Sequence, residues 1–163
     1  MSRIEYRPAS TDDLEALAEL WWIMQSSHGA YSPDFYKNVG AEESKSICRR
    51  YLSDLLKQET CMIYVATCSG TSVGMIVGHF RERPPVYDVR QQVEVEMAVV
   101  LPSHRRRGIF RNLLSLVEER DRFVGVDMIE ITVDHDNPAR EEEWWGLVFT
   151  FVRAQQRVLL ACG

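Results

Sequence analysis

No C-x-x-C pair and no metal-type histidine spacing occurs in the sequence, although it holds 4 cysteines, Cys48, Cys61, Cys68 and Cys162. Neither a zinc site nor a disulfide framework is indicated, and reduced, mostly buried thiols are the expectation. No apolar run approaches membrane-spanning length, and Met1-Ser2-Arg3-Ile4-Glu5-Tyr6 lacks the apolar centre of a signal peptide, so a cytoplasmic location without a membrane partner is predicted. Positive charge is scarce overall, with 19 Lys and Arg against 24 Asp and Glu and a net charge of -5. That balance disfavours a nucleic-acid partner, because nonspecific affinity follows the number of phosphates a basic surface neutralises. Repeats, linkers and low-complexity tracts are absent as well. The 163 residues, 45% hydrophobic and 26% charged, suit one soluble domain over 1–163.

Against this acidic background one short basic stretch stands out. From Val93 to Val100 apolar residues alternate with Glu94 and Glu96 and then run together; Leu101-Pro102 follows, and Arg105, Arg106, Arg107 and Arg111 crowd around Gly108 before helical spacing begins at Ile109. The pattern predicts strand, tight turn and helix. A helix's first turn carries unpaired N–H groups and the positive end of its dipole, so carboxylates are its ordinary occupants. Arginines placed there repel that end and make sense where an anion binds; a glycine-opened helix start is a phosphate cradle. A solvated basic turn is the plain alternative. A local basic feature on an acidic body suits a small phosphorylated ligand better than a polymer.

Around that stretch the order of elements is legible. Arg3 to Arg7 reads as an edge strand stopped by Pro8, and Ser10 and Thr11 start a helix with Asp12, Asp13 and Glu15 in its first turn and Leu14, Leu17, Ala18, Trp21 and Met24 on one face, ending near Gly29. His28 to Gly40 is an aromatic loop, either a recognition element or rings packed back on the core. Glu42 to Lys57 is helical through Ile47, Tyr51, Leu52, Leu55 and Leu56. Met62 to Thr67 and Val73 to Phe80 form a hairpin about Ser69-Gly70. Arg81 to Arg90 connects to a strand over Gln92 to Val100. A helix from Ile109 to about Phe123 buries Leu113, Leu114, Leu116 and Val117, and Met128 to Val133 is a strand. Asn137-Pro138 opens a short helix to Trp145, and Leu147 to Arg153 and Gln155 to Leu160 are closing strands, the second at an edge. The class is α+β with a mixed sheet of about six or seven strands and about four helices.

At Arg105-Arg106-Arg107-Gly108-Ile109-Phe110 the sequence resembles the acetyl-CoA pyrophosphate loop of GNAT-superfamily N-acetyltransferases, written Q/R-x-x-G-x-G/A between strand four and helix three. The N-terminal strand and helix, the hairpin, Val100-Leu101-Pro102 and Asn137 fall in family order. The departure is Phe110, where a small residue is usual. The resemblance implies acetyl-CoA as cosubstrate, with backbone amides from Arg106 to Arg111, through Arg107, Gly108, Ile109 and Phe110, holding the pyrophosphate. It places Arg105 at a phosphate, the backbones of Ala98 and Val100 along the pantetheine arm, and Asn137 further along it. A plain helix cap is the other reading of Asn137-Pro138.

Acetyl transfer to an amine requires that the ammonium first lose a proton. Glu94 and Glu96 lie two apart on one strand and so share a face. Glu94 matches the position of the base in the family's histone-modifying members, and Glu96 is one pleat nearer the thioester. Two carboxylates on the solvent side of a strand is the simpler account. An amide of Ala98 or Val99 would stabilise the oxyanion. Asn137 to Gly146 has no tyrosine to act as the usual acid. His135 between Asp134 and Asp136 reads as a solvated strand end rather than a metal site. The implied function is acetyl-CoA-dependent N-acetylation of a small-molecule or peptide amine; a non-catalytic acyl-CoA-binding module is the alternative, and a homodimer through the last strands is left open.

Overall fold

The computed structural model describes residues 3–31, 33–88, 91–124, 128–134, 149–152 and 155–161. One seven-stranded sheet runs through them: β1 (Ile4–Pro8), β2 (Cys61–Cys68), β3 (Thr71–Glu82), β4 (Gln91–Val100), β5 (Met128–Asp134), β6 (Phe149–Val152) and β7 (Gln155–Ala161), in the spatial order β1-β2-β3-β4-β5-β7-β6. Every neighbouring pair is antiparallel except β4 and β5. Those two are parallel because the chain crosses between them through a helix, α3 (Ile109–Val124). With α1 (Leu14–Tyr31) and α2 (Ala41–Leu55), three α-helices lie among the described residues. The short helix expected from Asn137 to Trp145 falls outside them.

The last strand is not at an edge. β7 pairs with β5 from Met128↔Ala161 to Asp134↔Gln155, and β6 lies outside it. Chain order suggested the reverse, but the closing hairpin places its longer arm against β5. The four-residue β6 leaves a short outer edge with few unpaired backbone groups.

Two cores sandwich the sheet. On one face Leu17, Ala18 and Leu20 of α1 and Cys48, Leu52 and Leu55 of α2 pack on Ile63, Val65, Met75, Val77, Met97 and Val99. On the other, Ile109, Phe110, Leu113, Leu114 and Val117 of α3 pack on Val73, Ile76, Val93, Val95 and Ile129. Leu116, expected in that stripe, is half-buried. On α2, the buried line is Ser44, Cys48, Leu52 and Leu55, whereas Ile47 and Tyr51 are 46% and 41% exposed. Apolar side chains left in water on a helix face are a departure that the site below accounts for.

Two local devices set where α1 and α3 begin. The Asp13 carboxylate, in a 3-10 turn before α1, accepts two bonds from Arg7 at 2.8 Å each and one from the Ser10 amide at 2.8 Å. At Gly74 a Cβ would stand 3.2 Å from both Ile109 Cγ2 and the Val99 carbonyl. Only a residue without a side chain lets the first turn of α3 lie that close to β3.

Candidate active site

The β4–α3 junction forms as the sequence implies. After β4, a 3-10 turn (Pro102–His104) leads to Arg105, and α3 starts at Ile109. Arg106 and Gly108 both take positive φ, 57° and 73°. That geometry is ordinary for glycine and costs a non-glycine residue roughly 1–2 kcal/mol. A Cβ at Gly108 would meet only Asn112 Nδ2 at 3.9 Å, so the loop is open in front of it. The first bond of the α3 ladder runs from the Asn112 amide to the Gly108 carbonyl at 3.0 Å, and the amides before it are aimed out of the helix end. Phe110 is buried in the core, 6% exposed. Its bulk therefore leaves the loop, and the departure from the small-residue pattern concerns packing beneath α3. Ile109 is buried likewise.

Arg106, Arg107 and Arg111 are exposed and Arg105 is half-buried. Arg105, Arg107 and Arg111 form no ion pair among the described residues. Arg105 Nε donates to the Val100 carbonyl at 3.2 Å, tying the loop to the end of β4. That carbonyl, expected to face the pantetheine arm, is engaged by this bond.

Beside the loop the sheet splits. β4 and β5 pair only at Val93↔Ile129, Glu94↔Glu130 and Val95↔Ile131, although β4 continues to Val100 and β5 to Asp134. Past Val95 the β5-side edge of β4, containing Ala98, Val99 and Val100, has no strand beside it among the described residues. On its other side β4 holds a bulge: Val95 faces Gly78 and Met97 faces Val77, which leaves Glu96 without an opposite residue. The inserted residue reverses the alternation. Val93 and Val95 pack with α3, whereas Met97 and Val99 pack with α1 and α2, and Ala98 and Val100 turn to the α3 side.

Glu94 and Glu96 differ in surroundings. Glu94, 42% exposed at its side chain, pairs with Arg81 at 3.2 Å. Glu96 is held from two sides, its carboxylate oxygens lying 2.7 and 2.9 Å from the Tyr51 hydroxyl and in contact with Nε2 of buried His79. Desolvation of the Tyr51 hydroxyl, then its bond to Glu96, pushes the phenol well above its ordinary range, so Tyr51 stays a donor. Neither His79 nor Tyr51 stands out in the sequence. The one available signal is that His79 and Arg81 interrupt an apolar strand at the same alternation as Glu94 and Glu96.

A cleft of about 320 Å³ opens alongside. Trp21, Ile47, Cys48 and Tyr51 from the helices and Met97 from β4 line it, with Lys37, Asn38 and Val39 from the segment before α2. The exposed Ile47 and Tyr51 are therefore its wall. Burial pushes the Cys48 thiol up to about 12, so it is neutral there. Asn137 lies outside the described residues.

Residues 15–142 match the Acetyltransferase (GNAT) family. The chain belongs to that family. No curated protein matches the sequence at a significant level. Among solved structures, the GNAT fold of this chain is similar to that of the PaiA N-acetyltransferase from Thermoplasma acidophilum in complex with coenzyme A, at a TM-score of 0.72 and 16% identity over 98% of this chain and 99% of that one. It is also similar to a predicted acetyltransferase with acetyl-CoA from Clostridium acetobutylicum, at 0.69 and 14% over 92% and 94%. An N-acetyltransferase from Staphylococcus aureus Mu50 gives 0.69 and 18% over 99% and 100%. At such identities the likeness is one of fold, and residue roles in this GNAT chain rest on its own geometry.

Proposed function

We propose that this protein is an acetyl-CoA-dependent N-acetyltransferase that moves an acetyl group to a primary amine of a small molecule or peptide by direct attack in a ternary complex. The observation that carries the reading is Glu96: a carboxylate clamped by Tyr51 and His79 on the bulge of β4, beside the Tyr51 wall of the cleft. The residues present fit the cosubstrate. Gly108 leaves its loop open, the amides of the first turn of α3 point outward, and Arg107 and Arg111 add uncommitted positive charge for a diphosphate. Bound there, acetyl-CoA supplies an activated acyl thioester.

The chain's own groups do the rest. Arg105 to Arg111 hold phosphate, and the open β4 edge at Ala98 to Val100 offers backbone groups to an extended arm. Glu96 takes the proton from the incoming ammonium, turning it into the neutral amine that can attack. Tyr51 and His79 keep the carboxylate aimed and are positioning residues. An amide of Ala98 or Val99 supports the negative charge that develops on the acyl oxygen. Glu94, bound to Arg81, contributes less. The alternative of a non-catalytic acyl-CoA-binding module draws on the absence of a tyrosine from Asn137 to Gly146, which lies outside the described residues, and on Phe110, whose side chain sits in the core, away from the loop.

The test is thiol release from acetyl-CoA with a panel of primary amines, beside calorimetric binding of acetyl-CoA. Glu96→Gln is expected to lower kcat by about a hundredfold or more while leaving acetyl-CoA affinity within a few-fold. Undiminished turnover in that variant, or no acetyl-CoA binding by the unaltered protein at millimolar concentration, overturns the reading.

A further inference from the structure

The cleft beside Glu96 has a composition that selects among amines. Trp21, Val39, Ile47 and Met97 give it apolar walls, the Cys48 thiol is neutral, Asn38, Ser44 and Tyr51 add uncharged polar groups, and among the described residues Lys37 is the only charged side chain that lines it. Around its mouth Val39 and Ile47 are 58% and 46% exposed, apolar surface that an apolar occupant would cover. Its volume of about 320 Å³ is at the small end of ligand pockets, which run from ~300 to ~1,000 Å³.

We propose, on the footing of the acetyl-transfer reading above, that the acceptor is a primary amine carried on a compact apolar body with no second cationic group. One positive charge has a place: an ammonium presented to Glu96 meets a carboxylate already oriented by Tyr51 and His79. A second has none. Inside the cleft it would be stripped of water against apolar walls with a lysine as its charged neighbour. Diamines, polyamines and lysine side chains flanked by other basic residues are thereby disfavoured. A single ring or a short branched chain on the amine matches both the walls and the volume.

The experiment compares kcat/KM, by thiol release at saturating acetyl-CoA, for 2-phenylethylamine and isoamylamine against putrescine, spermidine and a lysine-rich peptide. The apolar monoamines are expected to lead by about tenfold or more. Lys37→Glu, an exposed change in the cleft wall, is expected to raise kcat/KM for putrescine and spermidine several-fold relative to that for 2-phenylethylamine. Ile47→Ser is expected to raise KM for 2-phenylethylamine while kcat holds. A preference for spermidine or the peptide, with turnover still dependent on Glu96, overturns the acceptor class and leaves acetyl transfer standing. Turnover of no amine in the panel by a protein that binds acetyl-CoA overturns both.

Discussion

Tyr51 in α2 and Glu96 in β4, 45 residues apart in the chain, meet with the phenol donating to both carboxylate oxygens at 2.7 and 2.9 Å. A hydrogen bond to a charged acceptor is worth ~1.5–3 kcal/mol, enough to decide where a carboxylate points. Tyr51→Phe removes only the hydroxyl. The expected outcome is a fall in kcat of about ten- to a hundredfold with acetyl-CoA affinity unchanged, read by steady-state kinetics and calorimetry. A parallel loss in His79→Gln, with a displaced pH–rate profile, is the result for two groups acting through Glu96. Unchanged pH profiles in both variants would leave them only structural roles.

Glu94 serves as the internal control. Its partner Arg81 and its own side chain are both substantially exposed, 55% and 42%, where such pairs contribute ~0–1 kcal/mol. Glu94→Gln is expected to change kcat by less than about threefold and the unfolding midpoint hardly at all. A loss as large as that of Glu96→Gln would move the proton acceptor to residue 94.

Gly108 separates backbone strain from crowding. Because a Cβ there meets only Asn112 at 3.9 Å, the penalty of Gly108→Val comes from forcing a β-branched residue to a φ of 73°. Denaturant melts are expected to show a loss of ~1–2 kcal/mol, and acetyl-CoA binding to weaken by more than about tenfold as the loop relaxes. Gly74→Val has the opposite origin, a clash with Ile109 and the Val99 carbonyl, and should lower stability and shift the start of α3 together.

Acid stability turns on Asp13. The Arg7 guanidinium, with the Ser10 amide, holds its carboxyl down to about 2 from an ordinary 3.8. The unfolded chain thus binds this proton more tightly than the folded one. The stabilisation, on the order of 2 kcal/mol, is complete above about pH 4 and disappears as the pH falls toward 2. Asp13→Asn is expected to be less stable at neutral pH by a similar amount and to show a flatter loss between pH 4 and 2 in thermal melts.

Much of this was legible from local pattern. Proline, arginines, glycine and helical spacing from Pro102 to Leu114 sit in one continuous stretch of chain, and the φ of Gly108 and the start of α3 at Ile109 follow from them. What escaped depends on register. Val93, Val95, Met97 and Val99 alternate without interruption in the sequence and predict one buried face, yet two pack with α3 and two with α1 and α2. Only the pairing with β3 shows the extra residue. For the same reason His79 looked like one more residue of an apolar hairpin, and Ile47 and Tyr51 like part of the buried side of α2. The place of β7 inside the sheet was likewise a matter of which arm of a hairpin docks first on β5.

Since residue 96 is the inserted position, its backbone and its side chain have separable duties. Swapping the side chain alters chemistry and spares the frame. Excising the residue would remove the bulge and set Met97 directly after Val95, as Val77 and Gly78 adjoin opposite them, so Met97 and Val99 would stay on the α1 and α2 side and Ala98 and Val100 on the α3 side. A shortened chain of this kind is expected to assemble its sheet, as the glutamine-substituted chain does, and to lose the clamped carboxylate: the pairing of β4 with β3 has no need of position 96.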